Sequence, residues 1–332
     1  MKINLLGESI TADLTPGVEK IEWSGDIDEA ARTLKISFIN NPLDKTLKIP
    51  KIKIGDAISA TENKEEIFFG QIMGVPRSNE IGTVEYEARD IIKHLLESNG
   101  RYNFKNKTPE SITRQVCGDI QVPVGSLAST GVNIKSMICD DDCFYDIIMG
   151  AYTQAYKVKK HRYMPVVKKR KLCVVDCEYM AASIRLSDAH NITSASNTET
   201  CDEIVNSVKI YDDKGKQIGH IKDASSIKKF GVYQKVYQKE EGVSPSAGAR
   251  ALMKGKPAQE ISVDAIGDLS CVAGRKIEVT DASTGLSGEY WIKSDTHTWE
   301  NGTHMMHLDL SFQKMMATRE IEVEKEKKEK KK

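Results

Sequence analysis

The chain has 332 residues, of which 48 are Lys or Arg and 48 are Asp or Glu, so its formal net charge is zero. This balance argues against a nucleic-acid-binding protein, which usually carries a basic face, and no apolar run reaches the length of a membrane span. Seven cysteines, an odd number in a chain of this length, favour reduced thiols over a disulfide framework.

The first 100 residues predict a small antiparallel β domain, either a barrel or a sandwich. Between residues 18 and 88, short runs such as residues 33–39 alternate apolar and polar side chains, and turn residues separate these runs. A period of two is typical of strands that bury one face. Asp90 is placed to cap a short helix through Ile91, Ile92, Leu95 and Leu96, which should end at Gly100 and cover one end of the sheet.

Residues 101–200 differ in character and predict an α+β middle domain. Thr108 offers a capping hydroxyl directly before a proline, so a helix should begin there and end near Gly118. A second helix is expected to start at Asp141 or Asp142, because the apolar side chains that follow fall on one stripe at helical spacing. Residues 172–177 predict a strand.

Residues 201–320 return to the β pattern and predict a second β domain. Residues 212–215 are a good hairpin signal, and an insertion at about 222–257 interrupts the domain with a helix that Ser244 should cap. The last residues, 321–332, are almost wholly Glu and Lys, so we expect a charged tail that is disordered or a solvated helix end.

The two β domains repeat each other. Glycines and aromatic residues recur in the same order, with nearly the same spacing inside each copy. The matched pairs are Gly55 with Gly274, Phe69 with Trp291, and Gly82 with Gly302, at offsets of 219, 222 and 220 residues. Two matched copies in one chain predict an architecture built by quasi-symmetry.

Four cysteines resemble two halves of a metal site. Cys139 and Cys143 form one spaced pair, and Cys173 and Cys177 form the other, and zinc is often bound by closely spaced thiolates. In a strand, however, residues four apart share a face at a separation of about 13 Å, which is too far for one metal ion. We therefore interpret these residues as buried free thiols.

Three histidines lie around the last predicted hairpin. His297, His304 and His307 could converge on a metal or act as an acid and a base. In an alternating strand, however, His304 lies on the apolar face with Met306, whereas His307 lies on the opposite face with Asp309. This divergence favours packing or surface histidines.

Two further motifs can be explained without a metal site or a catalytic site. The acidic run Asp140-Asp141-Asp142 lacks the spacing and the glycine of a calcium loop, so we interpret it as a helix start that favours negative charge. Ser287 lies between glycines but outside a nucleophile elbow. We therefore predict no catalytic residue, no cofactor and no metal, and a protein that is not an enzyme.

The chain resembles the baseplate hub proteins of contractile phage tails, specifically the XkdQ-like proteins of defective prophages and phage-tail-like bacteriocins. The resemblance covers residues from about 3 to about 312. It is carried by the order and spacing of Trp23-Ser24-Gly25-Asp26, Ala31-Arg32-Thr33-Leu34, Phe68-Phe69-Gly70-Gln71-Ile72, Asn103-Phe104-Lys105-Asn106, Tyr145-Asp146-Ile147-Ile148, and residues 285–299 with Tyr290-Trp291-Ile292 and His297-Thr298-Trp299.

The resemblance implies a mainly β (α+β) protein with two tube-type antiparallel β-barrel domains and an inserted α+β subdomain. In such barrels alternate strand residues would face the cores, and the intervening ones would face a lumen or a neighbouring barrel. The residues expected in the cores are Val84, Tyr86, Ala88, Met306, Leu308 and Leu310, and those expected on the opposite faces are Glu85, Glu87, His307 and Asp309.

The function that this resemblance implies is structural. A trimeric ring with pseudo-sixfold symmetry would join a sixfold tail tube to a threefold central spike, with other baseplate proteins of the wedge or LysM type as further partners. The first residues lack the apolar core of a signal peptide, so we expect assembly in the bacterial cytoplasm, followed by release through host lysis. Two alternatives stay open, a peptidoglycan hydrolase and a cell-wall-binding component of a tail tip.

Overall fold

In the computed structural model, residues 1–7, 11–44, 46, 50–240 and 244–321 are described. The protein is mainly β with a helical minority, which confirms the predicted class. The chain divides into two compact units. Unit 1 comprises Met1–Ser194 together with the chain from Val263 onward, and unit 2 comprises Ala195–Ser262.

The first repeat is a curled antiparallel sheet. Its strands follow the order β2-β1-β5-β6-β7-β4-β3, and a short helix closes one end. The elements are β1 (Lys2–Leu6), β2 (Thr11–Asp13), β3 (Val18–Asp26), β4 (Thr33–Asn40), β5 (Ala57–Glu62), β6 (Glu65–Gly74), β7 (Gly82–Asp90) and α1 (Ile92–Leu96).

Alternation places one face of this sheet in a core. Leu34, Ile36 and Phe38 of β4 are buried in it with Tyr86 and Ala88 of β7, as predicted for β7. The buried carboxylate of Asp90 accepts the backbone N–H of Ile92 at 3.0 Å, so Asp90 lies just before α1, although the N-cap residue is Ile91. The predicted helix end at Gly100 is wrong, because α1 ends at Leu96 and Gly100 belongs to the next strand, Asn99–Lys107.

The middle segment carries the largest helix and two small sheets. Its elements are β8 (Asn99–Lys107), α2 (Pro109–Asp119), β9 (Val124–Leu127), β10 (Ile134–Cys143), α3 (Phe144–Lys159), β11 (Tyr163–Lys168) and β12 (Lys171–Asp176). Strand β8 pairs with β10, and the second sheet has the order β11-β12-β9. The strand expected at 172–177 is therefore confirmed as β12.

The helix predictions in this segment are partly right. The Thr108 hydroxyl accepts the Ser111 N–H at 3.3 Å, so the predicted cap of α2 is confirmed. The second helix, α3, begins at Phe144 and not at Asp141 or Asp142, because the β8–β10 ladder continues through a bulge there and ends at Cys143. Helix α3 supplies the centre of a second core, with Tyr145 and Tyr152 almost fully buried.

The remaining elements belong to the second repeat and to unit 2. They are β13 (Ala181–Ser187), β14 (Ile192–Thr200), β15 (Ser207–Tyr211), β16 (Gln217–Lys222), α4 (Ala224–Phe230), β17 (Gln234–Gln238), α5 (Pro245–Ala251), β18 (Ala258–Ile266), β19 (Lys276–Asp281), β20 (Leu286–Glu300) and β21 (Thr303–Ser311).

Unit 2 contains a three-stranded sheet in the order β16-β15-β17. The turn at residues 212–215 joins β15 to β16, so the predicted hairpin is confirmed. Tyr237 of β17 and Ala249 of α5 are buried against β15 in the core of this unit. Helix α5 follows Ser244 as predicted, although the described Ser244 hydroxyl makes no capping bond to it.

The second repeat uses the same strand order as the first. The order β14-β18-β21-β20-β19 corresponds to β3-β4-β7-β6-β5. The backbone confirms the predicted match of Gly55 with Gly274. Gly55 donates to the Ile72 carbonyl and Gly274 donates to the Ile292 carbonyl, both at 2.9 Å and both with φ near +85° (88° and 85°).

Two matched pairs of the predicted repeat are wrong by two residues. Glu87 lies opposite Gly74, and Asp309 lies opposite Ser294, so the counterpart of Gly82 is His304 and not Gly302. Ala57 pairs with Gln71 in the first repeat, and Lys276 pairs with Trp291 in the second, so the counterpart of Trp291 is Gln71 and not Phe69. A shift of two residues keeps a side chain on the same face of a strand, so alternation alone could not detect it.

The strand path is open in the part of the chain that the structure describes. Strand β3 pairs with β20 of the second repeat over seven residue pairs, from Ser294 with Asp26 to Glu300 with Lys20. The two repeats therefore join edge to edge in one sheet, and no closed barrel forms among the described strands. We call the β3–β20 pairing the seam.

The C-terminal chain continues past β21 over the middle segment. Ile321 packs against Gly150 of α3, and the Arg319 guanidinium pairs with Asp146 at 2.5 Å. The expected charged tail, residues 321–332, otherwise lies outside the described residues. Within the described part of the chain, no helix combines the length and the apolar character that crossing a bilayer requires.

Candidate assembly surface

Of the four cysteines considered in the sequence, Cys139, Cys173 and Cys177 are buried and Cys143 is half-buried. All seven cysteines are free, and burial raises the pKa of the Cys139 and Cys177 thiols to about 12, so both stay protonated at neutral pH. A protonated thiol is a poor nucleophile and a poor metal ligand. Among the described side chains, no three His, Cys, Asp or Glu residues are grouped to hold a metal ion.

The acidic run lies in a strand and not at a helix cap. Asp140 forms an ion pair with Arg101 at 2.9 Å across the β8–β10 ladder, and its backbone N–H donates to Asp142. The N-cap residue of α3 is Cys143, and no side chain caps this helix. The predicted cap is therefore wrong, because the bulge in β10 extends the strand through the acidic run. Ser287, near the start of β20, pairs with Thr280.

The structure brings two of the three histidines together. His297 is fully buried, its Nε2 lies 3.0 Å from the Cys271 carbonyl, and its Nδ1 lies 3.0 Å from Nε2 of His304. A carbonyl only accepts, so His297 Nε2 carries the proton, its Nδ1 accepts, and His304 Nε2 donates. His307 points away and contacts Asp264 at 2.7 Å, as the alternation predicted.

Burial keeps both inner histidines neutral. It lowers the pKa of His304 to about 4, with a further contribution from His297, and it also lowers the pKa of His297. The imidazole of His304 stacks on Trp299, with ring centroids 4.0 Å apart and an interplanar angle of 11°. These histidines therefore act as packed neutral rings within the seam.

Beside the histidines lies a buried ion pair that the sequence analysis did not identify. The Arg32 guanidinium binds Asp295 with both terminal nitrogens and lies 3.9 Å above the Trp23 ring. Asp295 is almost fully buried and also accepts the backbone N–H of Ala273 at 2.6 Å. We call Trp23, Arg32, Asp295, His297 and His304 the seam cluster.

The seam cluster joins the two repeats. Arg32 and Asp295 are 263 residues apart in the chain, and each comes from a different repeat. The Arg32 backbone N–H also donates to the buried Asp90, whose pKa burial raises to about 7. Every charge in the cluster is therefore used to hold strands of the two repeats together. The sequence signal was that Trp23, Arg32, Asp295 and His297 all fall within the motifs that carry the resemblance.

The face of the sheet opposite the cores is polar. Along β3, β4 and β7, Glu22 lies beside Lys35 and Lys35 lies beside Glu87, with an ion pair between Lys35 and Glu85 at 3.4 Å. On β21, His307 and Asp309 occupy the equivalent face. This placement matches the predicted alternation and leaves a continuous hydrophilic surface across the seam.

Comparisons with known proteins give a consistent result. The YQBQ-like family model matches residues 21–311. The chain is 25% identical over 301 residues to the uncharacterized protein YqbQ of Bacillus subtilis (strain 168), which covers 88% of this chain and 91% of that protein. It is 24% identical over 303 residues to the phage-like element PBSX protein XkdQ of the same strain, with the same coverage.

A solved structure shares the fold over almost the whole chain. The 43 kDa tail protein of prophage MuSo2 from Shewanella oneidensis matches with a TM-score of 0.71 at 14% identity, and the match covers 94% of this chain and 98% of that protein. Both repeats and the middle segment therefore belong to one fold that a phage tail protein also has.

Proposed function

The chain belongs to the YQBQ-like family, and from this premise we propose that it is a structural baseplate hub of a phage-like contractile tail. Three copies would form a ring with pseudo-sixfold symmetry between a tail tube and a central spike. The observation that carries this proposal is the edge-to-edge joining of two equivalent repeats in one chain. Relatedness to a phage-like element protein supports the tail setting.

The duplication explains the symmetry of the proposed ring. Three copies of a chain with two equivalent sheets present six equivalent sheets, although the exact symmetry of the ring is only threefold. Such a ring can contact a sixfold tube on one face and a threefold spike on the other. A closed ring also covers strand edges that would otherwise recruit other chains.

We propose a structural role and not an enzymatic one. The candidate side chains are either buried without solvent access, as His297 and Cys139 are, or paired on the surface, as His307 and Asp140 are. A hydrolase would require an acid, a base or a nucleophile converging in a cleft. The partners we propose are a tube protein, a spike protein and other baseplate proteins, with assembly in the bacterial cytoplasm and release by lysis.

The sequence predicted units of duplication at residues 1–100 and 201–320, with 101–200 as a middle domain and 321–332 as a tail. Because β14 (Ile192–Thr200) is the counterpart of β3, we propose that the second unit begins at about residue 192 and that the middle domain ends before it. In the second of these units, residues from about 222 to 257 are an insertion. The first repeat connects β3 to β4 directly, over residues 27–32, whereas the second carries unit 2 between β14 and β18. Insertions into a turn between strands leave the rest of a sheet intact.

The test is the mass and symmetry of the full-length protein. Light scattering over a range of concentrations should give the mass of a trimer, and class averages in the electron microscope should show a ring with six similar lobes. A monomer at all concentrations, or a ring with a different number of copies, would overturn the proposal. A hydrolase assay on purified peptidoglycan should give no activity above that of buffer.

A further inference from the structure

Within the chain, the seam covers one edge of the first repeat over seven of the nine residues of β3. Strand β3 ends its own repeat, and its outer edge pairs with residues 294–300, the second half of β20. That half of β20 extends past the point where β6, its counterpart, ends at Gly74. The seam therefore uses the outer edge of one repeat and the strand extension of the other.

The counterpart of this edge is uncovered in the second repeat. Strand β14 holds the place that β3 holds in the first repeat, at the end of the strand order, and within the described residues no further strand pairs with it. Its first residues, Ile192, Thr193 and Ser194, are half-buried or exposed. The strand contains no proline and no lysine, the residues that proteins commonly use to protect such an edge.

The counterpart of the strand extension is also uncovered. With the offset of 220 residues, residues 294–300 correspond to residues 74–80. Residues 75–81 are described but form no strand, and the β6–β7 pairing stops at Gly74 with Glu87. In the second repeat the equivalent pairing continues to Glu300 with Thr303.

An exposed isoleucine marks the same place. Ile54 precedes Gly55 and is 70% exposed, whereas Ala273, which precedes Gly274, is only 3% exposed. Ala273 is covered at the seam, where its N–H is bound by Asp295. Met73 and Ile81 are exposed beside the same uncovered stretch. Exposed apolar side chains that are grouped along one strand edge are typical of a surface that a partner covers.

We propose that a second copy of this chain covers both uncovered edges, with the start of β14 in one copy pairing with residues 74–80 of the next. This inference rests on the proposed ring and names the strands that close it. The partner is a second copy of this chain, because the counterparts of the two uncovered edges, β3 and the second half of β20, already pair with each other at the seam.

Disulfide trapping tests the pairing. In the seam Thr298 pairs with Glu22, and Ser78 is the counterpart of Thr298. We expect Ser194→Cys, near the start of β14 in one copy, to form a disulfide with Ser78→Cys in the next copy. Three double variants, in which Ser194→Cys is combined with Arg77→Cys, Ser78→Cys or Asn79→Cys, allow for a register shift of one residue in either direction. Under mild oxidation, one of the three should give covalent dimers and trimers on a non-reducing gel.

Three controls accompany the trapping. The single variants show whether any of the seven native cysteines crosslinks by itself. Ser194→Cys combined with Val158→Cys, at an exposed site on α3, should give no covalent oligomer beyond that of the single variants. Crosslinks of equal yield from the Val158 control would overturn the proposed pairing.

A charge at the covered isoleucine gives an independent readout. Ile54→Asp should lower the trimer fraction in light scattering at least tenfold, because a carboxylate would be buried in the seam between copies. The matched control is Val236→Asp, which changes a residue of similar exposure, 58%, in unit 2. Circular dichroism should be unchanged for both variants, since both side chains are exposed within the single chain.

The outcomes separate the two proposals. If the unmodified protein is a trimer but no cysteine pair crosslinks and Ile54→Asp stays trimeric, the pairing of β14 with residues 74–80 is wrong and the hub proposal stands. If the unmodified protein is never a trimer, the hub proposal fails, and the pairing fails with it.

Discussion

At the scale of single residues, the seam depends on a few buried polar groups. Burying a charge without a partner is costly, so Asp295 can stay inside only because Arg32 and a backbone N–H bind it. The aromatic ring of Trp23 packs against this pair, and the ring of Trp299 packs against His304. The strands of the two repeats are therefore joined by specific contacts as well as by backbone hydrogen bonds.

Removing the arginine tests this ion pair. Arg32→Met should lower the free energy of unfolding by about 3–5 kcal/mol, because Asp295 would remain buried without its counter-charge. The matched control is Arg89→Met, which removes a more exposed pair with Glu87 and should cost about 1 kcal/mol or less. Urea unfolding measures both. The double variant Arg32→Met with Asp295→Leu should recover part of the loss, and equal losses in the two single variants would contradict the role of the pair.

The inner histidines predict a loss of stability in acid. The folded-state pKa of His304 is about 4, below its ordinary value of 6.5, so the unfolded chain binds more protons between these values. The contribution of His304 to the free energy of unfolding is therefore fully present above pH 6.5 and decreases as the pH drops towards 4. Urea unfolding at pH 7, 5.5 and 4.5 should show a smaller loss for His304→Phe than for the unmodified protein. A parallel loss in both proteins would show that His304 does not titrate in this window.

At the scale of elements, each repeat depends on a glycine that begins a strand pair. Gly55 and Gly274 both have a positive φ, which side chains disfavour, and both donate to the carbonyl of an isoleucine on the neighbouring strand. Their surroundings differ. A Cβ on Gly274 would lie 2.7 Å from the Met164 sulfur, whereas a Cβ on Gly55 would meet nothing within 4 Å.

This difference predicts unequal costs for the same substitution. Gly55→Ala should lower stability by about 1–2 kcal/mol through backbone strain alone. Gly274→Ala should lower stability more than Gly55→Ala, because Met164 must also move. In a Met164→Ala background this clash is absent, so adding Gly274→Ala should then cost no more than Gly55→Ala. Thermal unfolding of the four variants measures this. Equal losses for the two glycine variants would show that Met164 adapts without cost.

At the scale of the whole molecule, duplication decides the architecture. One chain contains two equivalent sheets, and one junction between them is already made by the seam. A second junction of the same kind can be made only between chains, because each repeat has one edge of each type. The proposed ring is the arrangement in which every such edge is paired.

The sequence by itself determined the class of fold, the repeat and the faces of the strands. Alternation with a period of two placed Tyr86, Leu308 and Leu310 in cores and His307 outside, because a buried sheet face imposes that period wherever it occurs. The sequence could not reveal the two-residue shift at Trp291, since such a shift leaves every side chain on its face. Nor could it show that β10 continues through the acidic run, because pairing with β8 overrides the local preference for a helix start.

Only the tertiary structure decided how the repeats join. The seam brings Arg32 to Asp295 across 263 residues of chain, and no local pattern encodes a contact at that distance. It also decided which histidines meet, because His297 and His304 face each other only once β20 and β21 pair. Local periodicity specifies what each strand buries, whereas the choice of neighbouring strand depends on packing between distant parts of the chain.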